Sequence, residues 1–286
     1  MGATKGPLGQ PGREPVKIRQ TKLEAFVIAA LAMAWPAPPA HGAVGDAATT
    51  AETIAECIAG NAPQLSAVHS LAIEVRDAEG ELSITRARVS WRRFGDVGRL
   101  LVAIEEPEDL AGCELLVVPQ AAGRPAAWVY LPELGKAKRV RSAVQVRSVI
   151  RGDMQFEEVR RLFDLSHGTE LTLVGETEVD GRAVWQVEAR PEAGRSSYYD
   201  RFDALVDREF CLPLRVDFLS GGAVTKRMSL APAEVVRVAE SWLPRLLHVE
   251  DLEIGSMSTL RIDEIQLEVP LPPRMFTPEA LSGTEP

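Results

Sequence analysis

Catalytic chemistry in this chain would have to be built from few residues. Of four histidines, His41 lies in the N-terminal segment discussed below, leaving His69, His167 and His248. They stand apart from one another and from cysteine, so neither a metal set nor a nucleophile and base pair is suggested by spacing. The three cysteines, Cys57, Cys113 and Cys211, show no ligand spacing either. An odd number in an exported protein leaves at least one free thiol. Cys113–Cys211 is the pair to test for a bridge, with free buried thiols the alternative. No Gly-x-Ser-x-Gly elbow, phosphate loop, dinucleotide fingerprint or His-Glu-x-x-His is present. Carboxylates are so abundant that pairs among them carry no information. The expectation is a protein that is not an enzyme, with no cofactor and no metal.

The formal net charge is -9. Phosphate binding needs a positive footprint, so a nucleic-acid partner is excluded as an expectation. An anionic membrane surface is disfavoured for the same reason.

The N-terminus has the order of a secretory signal. Lys17, Arg19 and Lys22 precede the apolar run Leu23 to Trp35, then Pro36, Pro38 and Pro39, then the small residues Ala40 and Gly42. The run is shorter than the ~18–20 residues a spanning helix needs. The expected division is therefore a signal peptide over 1–42 and one domain over 43–286, exported from the cytoplasm to work in the cell envelope. Removal of that segment would take away five basic and two acidic residues and leave a net charge of -12. The tetrapeptide Leu110-Ala111-Gly112-Cys113 matches a lipoprotein cleavage box by letters, but lies far from the signal.

Beyond residue 50 the hydrophobic period identifies the elements. Ile54, Cys57, Ile58 and Leu65 suggest a helix between Thr50 and Val68, capped by Thr49, Thr50 or Thr53. From Leu71 the period becomes two. Leu82 and Ile84 alternate in one parity and Ala87, Val89 and Trp91 in the other, which predicts a bulge. Val179-Asp180-Gly181-Arg182 is a hairpin turn, Ser220-Gly221-Gly222-Ala223 another, and Thr277-Pro278 opens a helical turn. Residues 136–163 interrupt the pattern with a basic stretch from Lys136 to Arg151 and a short helix near 157–163. The basic stretch reads as a solvated loop or as a contact for an acidic partner or lipid headgroup. Roughly ten or eleven strands in hairpin order predict a large antiparallel sheet or barrel.

The aromatic residues Trp91, Trp128, Tyr130, Trp185 and Phe218 fall on predicted strands. Met154, Phe156 and Phe163 fall on the interruption. Two readings stand: plain core packing, or an apolar face covered by helices. Alternation does not separate them.

Six blocks in order resemble a known family: Asp109 to Leu116; Trp128 to Lys136 with Arg139-Val140; Arg151 to Val159; Val179 to Arg182; Asp207-Arg208-Glu209 with Leu212 to Arg215; and Gly222 with Lys226. They resemble the outer-membrane lipoprotein-sorting protein group, related in fold to the LolA/LolB carriers. Cys113, where Thr is usual, and Gly152, where Ser is usual, depart from its pattern. The resemblance implies an incomplete antiparallel β-barrel of about eleven strands, with a few helices as a lid over an apolar cavity. It also implies a monomeric periplasmic carrier that binds acyl chains of lipids or lipoproteins. An inner-membrane transporter and an outer-membrane acceptor would be its partners. The eight aromatic and methionine residues above are the candidate cavity lining. The alternative is a non-enzymatic adaptor of a membrane lipid or efflux transporter. A hydrolase on a β scaffold ranks last.

Overall fold

In the computed structural model the described residues are 50–61, 65–95, 97–120, 125–140, 157–158, 161, 165, 167–194 and 197–282. The expected signal peptide, together with Met154, Phe156 and Phe163, lies outside them. The chain divides into two units, and the second, Ala47–Pro286, holds all of the described structure.

One helix, α1 (Ala51–Gly60), begins at Thr50, whose side chain accepts the Thr53 amide at 3.2 Å. A hydroxyl at this position satisfies one of the amides that a helix start leaves open. The helix ends at Asn61 rather than running on towards Val68, because Ser66 already belongs to a strand.

Fifteen strands follow among the described residues. They are β1 (Ser66–Arg76), β2 (Leu82–Phe94), β3 (Val97–Glu106), β4 (Glu114–Val118), β5 (Ala126–Leu131), β6 (Lys136–Val140), β7 (Thr169–Val179) and β8 (Arg182–Pro191). The series continues with β9 (Arg201–Asp207), β10 (Pro213–Ser220), β11 (Ala223–Ser229), β12 (Val235–Val238), β13 (Ser241–Pro244), β14 (Leu246–Asp251) and β15 (Ser256–Leu267). Thirteen form one sheet in the order β6-β5-β4-β3-β2-β1-β15-β14-β11-β10-β9-β8-β7, and β12-β13 is a separate hairpin. The sheet is an antiparallel, incomplete barrel, with β6 and β7 at its two free edges.

Lys136–Val140 is thus an edge strand and not part of a loop. Lys136, Lys138 and Arg139 are suited to that place, since charged side chains discourage edge-to-edge pairing. The expected β7–β8 turn forms with Asp180 at φ 51° and Gly181 at φ 76°. Those two left-handed residues match the twist of the strands they join. The first and last strands, β1 and β15, pair at the centre of the sheet.

The expected disulfide is corrected. Cys57 of α1 bonds Cys211, in the turn before β10, and Cys113 is a buried free thiol. Beside the bridge, the buried Asn61 side chain donates to the carbonyls of Phe210 and Cys211, and its Oδ1 accepts the Trp242 amide at 2.8 Å. The end of α1 is therefore tied to the β9–β10 turn and to the β12–β13 hairpin.

Candidate functional site

Residues paired directly across antiparallel strands share a face, so the registers sort every side chain. On the face against which α1 packs, one row runs Leu173, Val187, Ala204, Val216, Met228, Val249, Ser258, Val75 across eight strands. A second runs Val129, Leu115, Val102, Val89, His69, Ile265. Ile54 and Ile58 of α1 and Leu165 cover the first of these rows. This inner face is apolar from β5 to β7, with most of its side chains buried.

The opposite face is different. Across β8 to β11 it carries a ladder of ion pairs: Arg190–Glu188 at 2.8 Å, Arg201–Asp203 at 2.9 Å and Arg227–Asp217 at 2.7 Å. Burial works to raise the Asp217 carboxyl, but Arg215 and Arg227 hold it below the usual range. Across β3 to β5 the opposite face is instead apolar, and the C-terminal turns seal it. There Leu271, Phe276 and Leu281 pack on Leu101 and Leu116. Arg99 fixes that segment by donating to the Phe276 carbonyl at 2.9 Å.

Of the expected lining, Trp91, Trp185 and Phe218 lie on the inner face. Trp91 stands opposite Ala67 and Leu100, partly buried. Trp185 is buried opposite Val206, and its Nε1 has no partner among the described residues. Phe218 is fully buried and packs with Phe202 and Tyr199, ring centroids 5.7 Å and 5.0 Å away. Trp128 and Tyr130 lie on the opposite face: they pair with Leu116 and Glu114 and face the C-terminal turns. Their parity is one residue off Val129, and a one-residue step exchanges faces.

A buried polar group, not anticipated from sequence, interrupts the inner face near β11 and β14. Lys226 Nζ lies 3.3 Å from Glu158 Oε1 and 3.4 Å from Asp251 Oδ2, and all three side chains are withdrawn from water. The Tyr199 hydroxyl donates to Glu158. Burial first, and then the Glu158 carboxylate, push the Tyr199 hydroxyl far above the usual range. Next to it, Glu157 accepts Ser197 Oγ at 2.7 Å, the Tyr198 amide at 3.0 Å and Arg161 at 3.2 Å. Arg161 in turn donates to the His167 carbonyl at 2.9 Å and sits 4.5 Å over the Phe202 ring. The helical residues 157, 158 and 161 are thus held to the inner face mainly by polar contacts. Glu157-Glu158 belongs to the third resemblance block and Lys226 to the last, so the fold joins the two.

His69 is the one ionisable member of the second row. Burial pushes its imidazole down to about 4, and its Nδ1 has no partner among the described residues. The described residues contain no group of three or more His, Cys, Asp or Glu placed to hold a metal, and no helix long and apolar enough to cross a membrane.

An open antiparallel sheet with one apolar face and a short helix against it defines a LolA-like fold, and comparison with solved structures agrees. A putative outer membrane lipoprotein-sorting protein domain from Vibrio parahaemolyticus is 19% identical, with a TM-score of 0.70 over 82% of this chain and 98% of that one. A LolA superfamily protein from Nitrosomonas europaea is 21% identical, with a TM-score of 0.62 over 80% and 98%. A DUF1329 family protein from Desulfovibrio piger is 21% identical, with a TM-score of 0.72 over 81% and 97%. No curated protein sequence matches. A family model described as like an uncharacterized protein matches residues 97–283. That is more than half of the chain, and the chain belongs to this family.

Proposed function

We propose that the chain is a non-enzymatic periplasmic carrier that holds acyl chains of lipids or lipid-modified proteins against the inner face and moves them towards the outer membrane. The observation that carries this reading is the largely apolar inner face, which extends from β5 to β7 across the incomplete barrel around the buried Lys226 group. The ion-paired ladder on the other side of β8 to β11 makes that part of the opposite face unsuited to apolar cargo. The Vibrio parahaemolyticus structure, described as a lipoprotein-sorting domain, supports the cargo class. The Cys57–Cys211 bridge supports an oxidising compartment, where such bonds persist. The signal-like residues 1–42 support export.

An acyl chain of about 15 methylenes exposed to water costs on the order of 12 kcal/mol. A carrier offsets that with apolar wall and no bond chemistry. The inner-face side chains are already buried, so cargo enters by displacing what covers them. Glu157, Glu158 and Arg161 lie over that face, and their polar contacts, the buried Lys226 pair among them, are what entering cargo has to exchange for water. Trp91, Trp185 and Phe218 are the aromatic residues proposed to meet the cargo, with Met154, Phe156 and Phe163 added from the sequence.

Native mass spectrometry and lipid extraction of protein purified from its own periplasm test the reading. Co-purifying lipid, or uptake of a fluorescent acyl probe that weakens when Val102→Asp is introduced on the inner face, is expected. Reproducibly empty protein that takes up no probe would overturn it in favour of a transporter adaptor.

A further inference from the structure

The outer face carries a second apolar surface that the carrier reading does not use. Leu82 and Ile84 at the start of β2, Met257 at the start of β15, and Leu252 and Ile254 in the β14–β15 turn are between 43% and 53% exposed. They are five of the eight large hydrophobic side chains exposed among the described residues. Register makes them neighbours. Arg76 of β1 pairs with Leu82 on one side and Met257 on the other, and Glu74 pairs with Ile84. The two turns touch, since a Cβ on Gly255 would lie 3.7 Å from the Ala78 methyl. β2 keeps an unbroken register with β1 throughout. The parity change between Ile84 and Ala87 therefore turns the first two apolar residues outward, towards water. A cluster of this kind marks an interaction surface more often than scattered single residues do.

The charge around it identifies what fits. Asp77, Glu79 and Glu81 lie on the β1–β2 turn and Glu253 on the β14–β15 turn, with Glu74 and Glu250 beside them on the strands. Among the described residues none of these six carboxylates is within ion-pair distance of a cation, and only Glu250 faces one across the sheet, Arg227. Elsewhere on the same face Glu105, Glu106, Glu188, Asp203 and Asp217 all are. Arg76 is the cation among them, and it donates to the Gly80 carbonyl at 3.1 Å. An unpaired acidic rim repels an anionic bilayer and a second copy of itself. It complements a surface whose apolar ridge is flanked by lysine and arginine.

We infer that the paired β1–β2 and β14–β15 turns form a docking surface for a protein segment with an apolar ridge and a basic border. The surface stands independently of the carrier reading. The probe for it is a synthetic amphipathic helix of leucine and lysine, with a leucine and glutamate helix as control, titrated against the full chain. The chain should bind the lysine helix in a salt-sensitive manner and ignore the glutamate helix. Leu82→Ser with Ile84→Ser should weaken binding at least about tenfold, equivalent to ~1.4 kcal/mol. Glu79→Lys with Glu81→Lys, on an exposed turn, should weaken it severalfold with the thermal melt unchanged. Failure to bind, equal binding of both helices, or affinity unchanged in both variants would overturn the inference. So would sedimentation of the chain with phosphatidylglycerol vesicles, which would make this a membrane surface.

Discussion

Lys226 on β11 reaches Glu158 across the inner face, with Nζ 3.3 Å from Oε1 and neither side chain open to water. Asp251 stands on its other side at 3.4 Å. Removing one member of a buried charge group leaves the others without its compensation, which costs about 3–5 kcal/mol. Lys226→Met should therefore lower stability by about that amount in chemical denaturation. Changing Glu158→Leu and Asp251→Leu along with Lys226→Met should recover most of the loss, because an apolar group of similar volume is often neutral. A triple variant no more stable than the single one would show that the group is not an isolated electrostatic unit.

The strands were legible from period-two alternation, and the antiparallel open sheet from turn spacing and the ordered blocks. What stayed hidden depended on contacts remote in sequence. Trp128 and Tyr130 are as apolar as Val129, and alternation alone does not say which parity faces α1. That is decided by the C-terminal turns, which supply Phe276 and Leu281 to cover the other parity. The Cys57–Cys211 pairing spans 154 residues, and it follows from where α1 lands rather than from spacing. Glu157 and Glu158 carried no signal of burial in the sequence, because nothing local announces Lys226, Tyr199 or Ser197 as their partners. The outward turn of Leu82 and Ile84 was present in the sequence as a parity change. It follows from the unbroken β1–β2 register; the register shift beside it lies between β2 and β3, with the extra residue, Glu105, on β3.

The Trp91 indole lies over Gly98, so that a Cβ there would come within 2.1 Å of Nε1 and 2.4 Å of Cε2. Gly98→Ala should displace the indole and cost about 1–3 kcal/mol, the usual range for overpacking. The cost should shrink when Trp91→Leu is made first. A double-mutant cycle in urea should return a coupling of at least ~0.5 kcal/mol. Additive effects would mean that the indole is not what requires glycine.

The Cys57–Cys211 bridge closes a long loop, and Cys113 remains a thiol. Cys57→Ser with Cys211→Ser should lower stability by about 2–5 kcal/mol. Burial first, then Glu133 and Asp109, raise the Cys113 thiol above its usual range, so its thiolate is scarce and shielded. In the oxidised protein a maleimide should label Cys113 only after unfolding, and peptide mapping should recover residues 57 and 211 in one cross-linked species. Rapid labelling of the native protein at Cys57 or Cys211 would contradict the pairing.

His69 should make stability fall on acidification. Its imidazole titrates near 6.5 when the chain is unfolded and is pushed down to about 4 by burial in the folded sheet. Between those values the unfolded chain binds the extra proton, so stability is lost as pH falls. The contribution is fully present above about 6.5, declines towards about 4, and is gone below, for a total of at most ~3 kcal/mol. His69→Leu replaces the ring with an apolar group between Val89 and Ile265 and has no proton to bind. Its stability should therefore change less than the parent's between pH 7 and pH 5. Denaturation at both values, parent against variant, measures the difference, and equal slopes would mean that another group governs the acid limb.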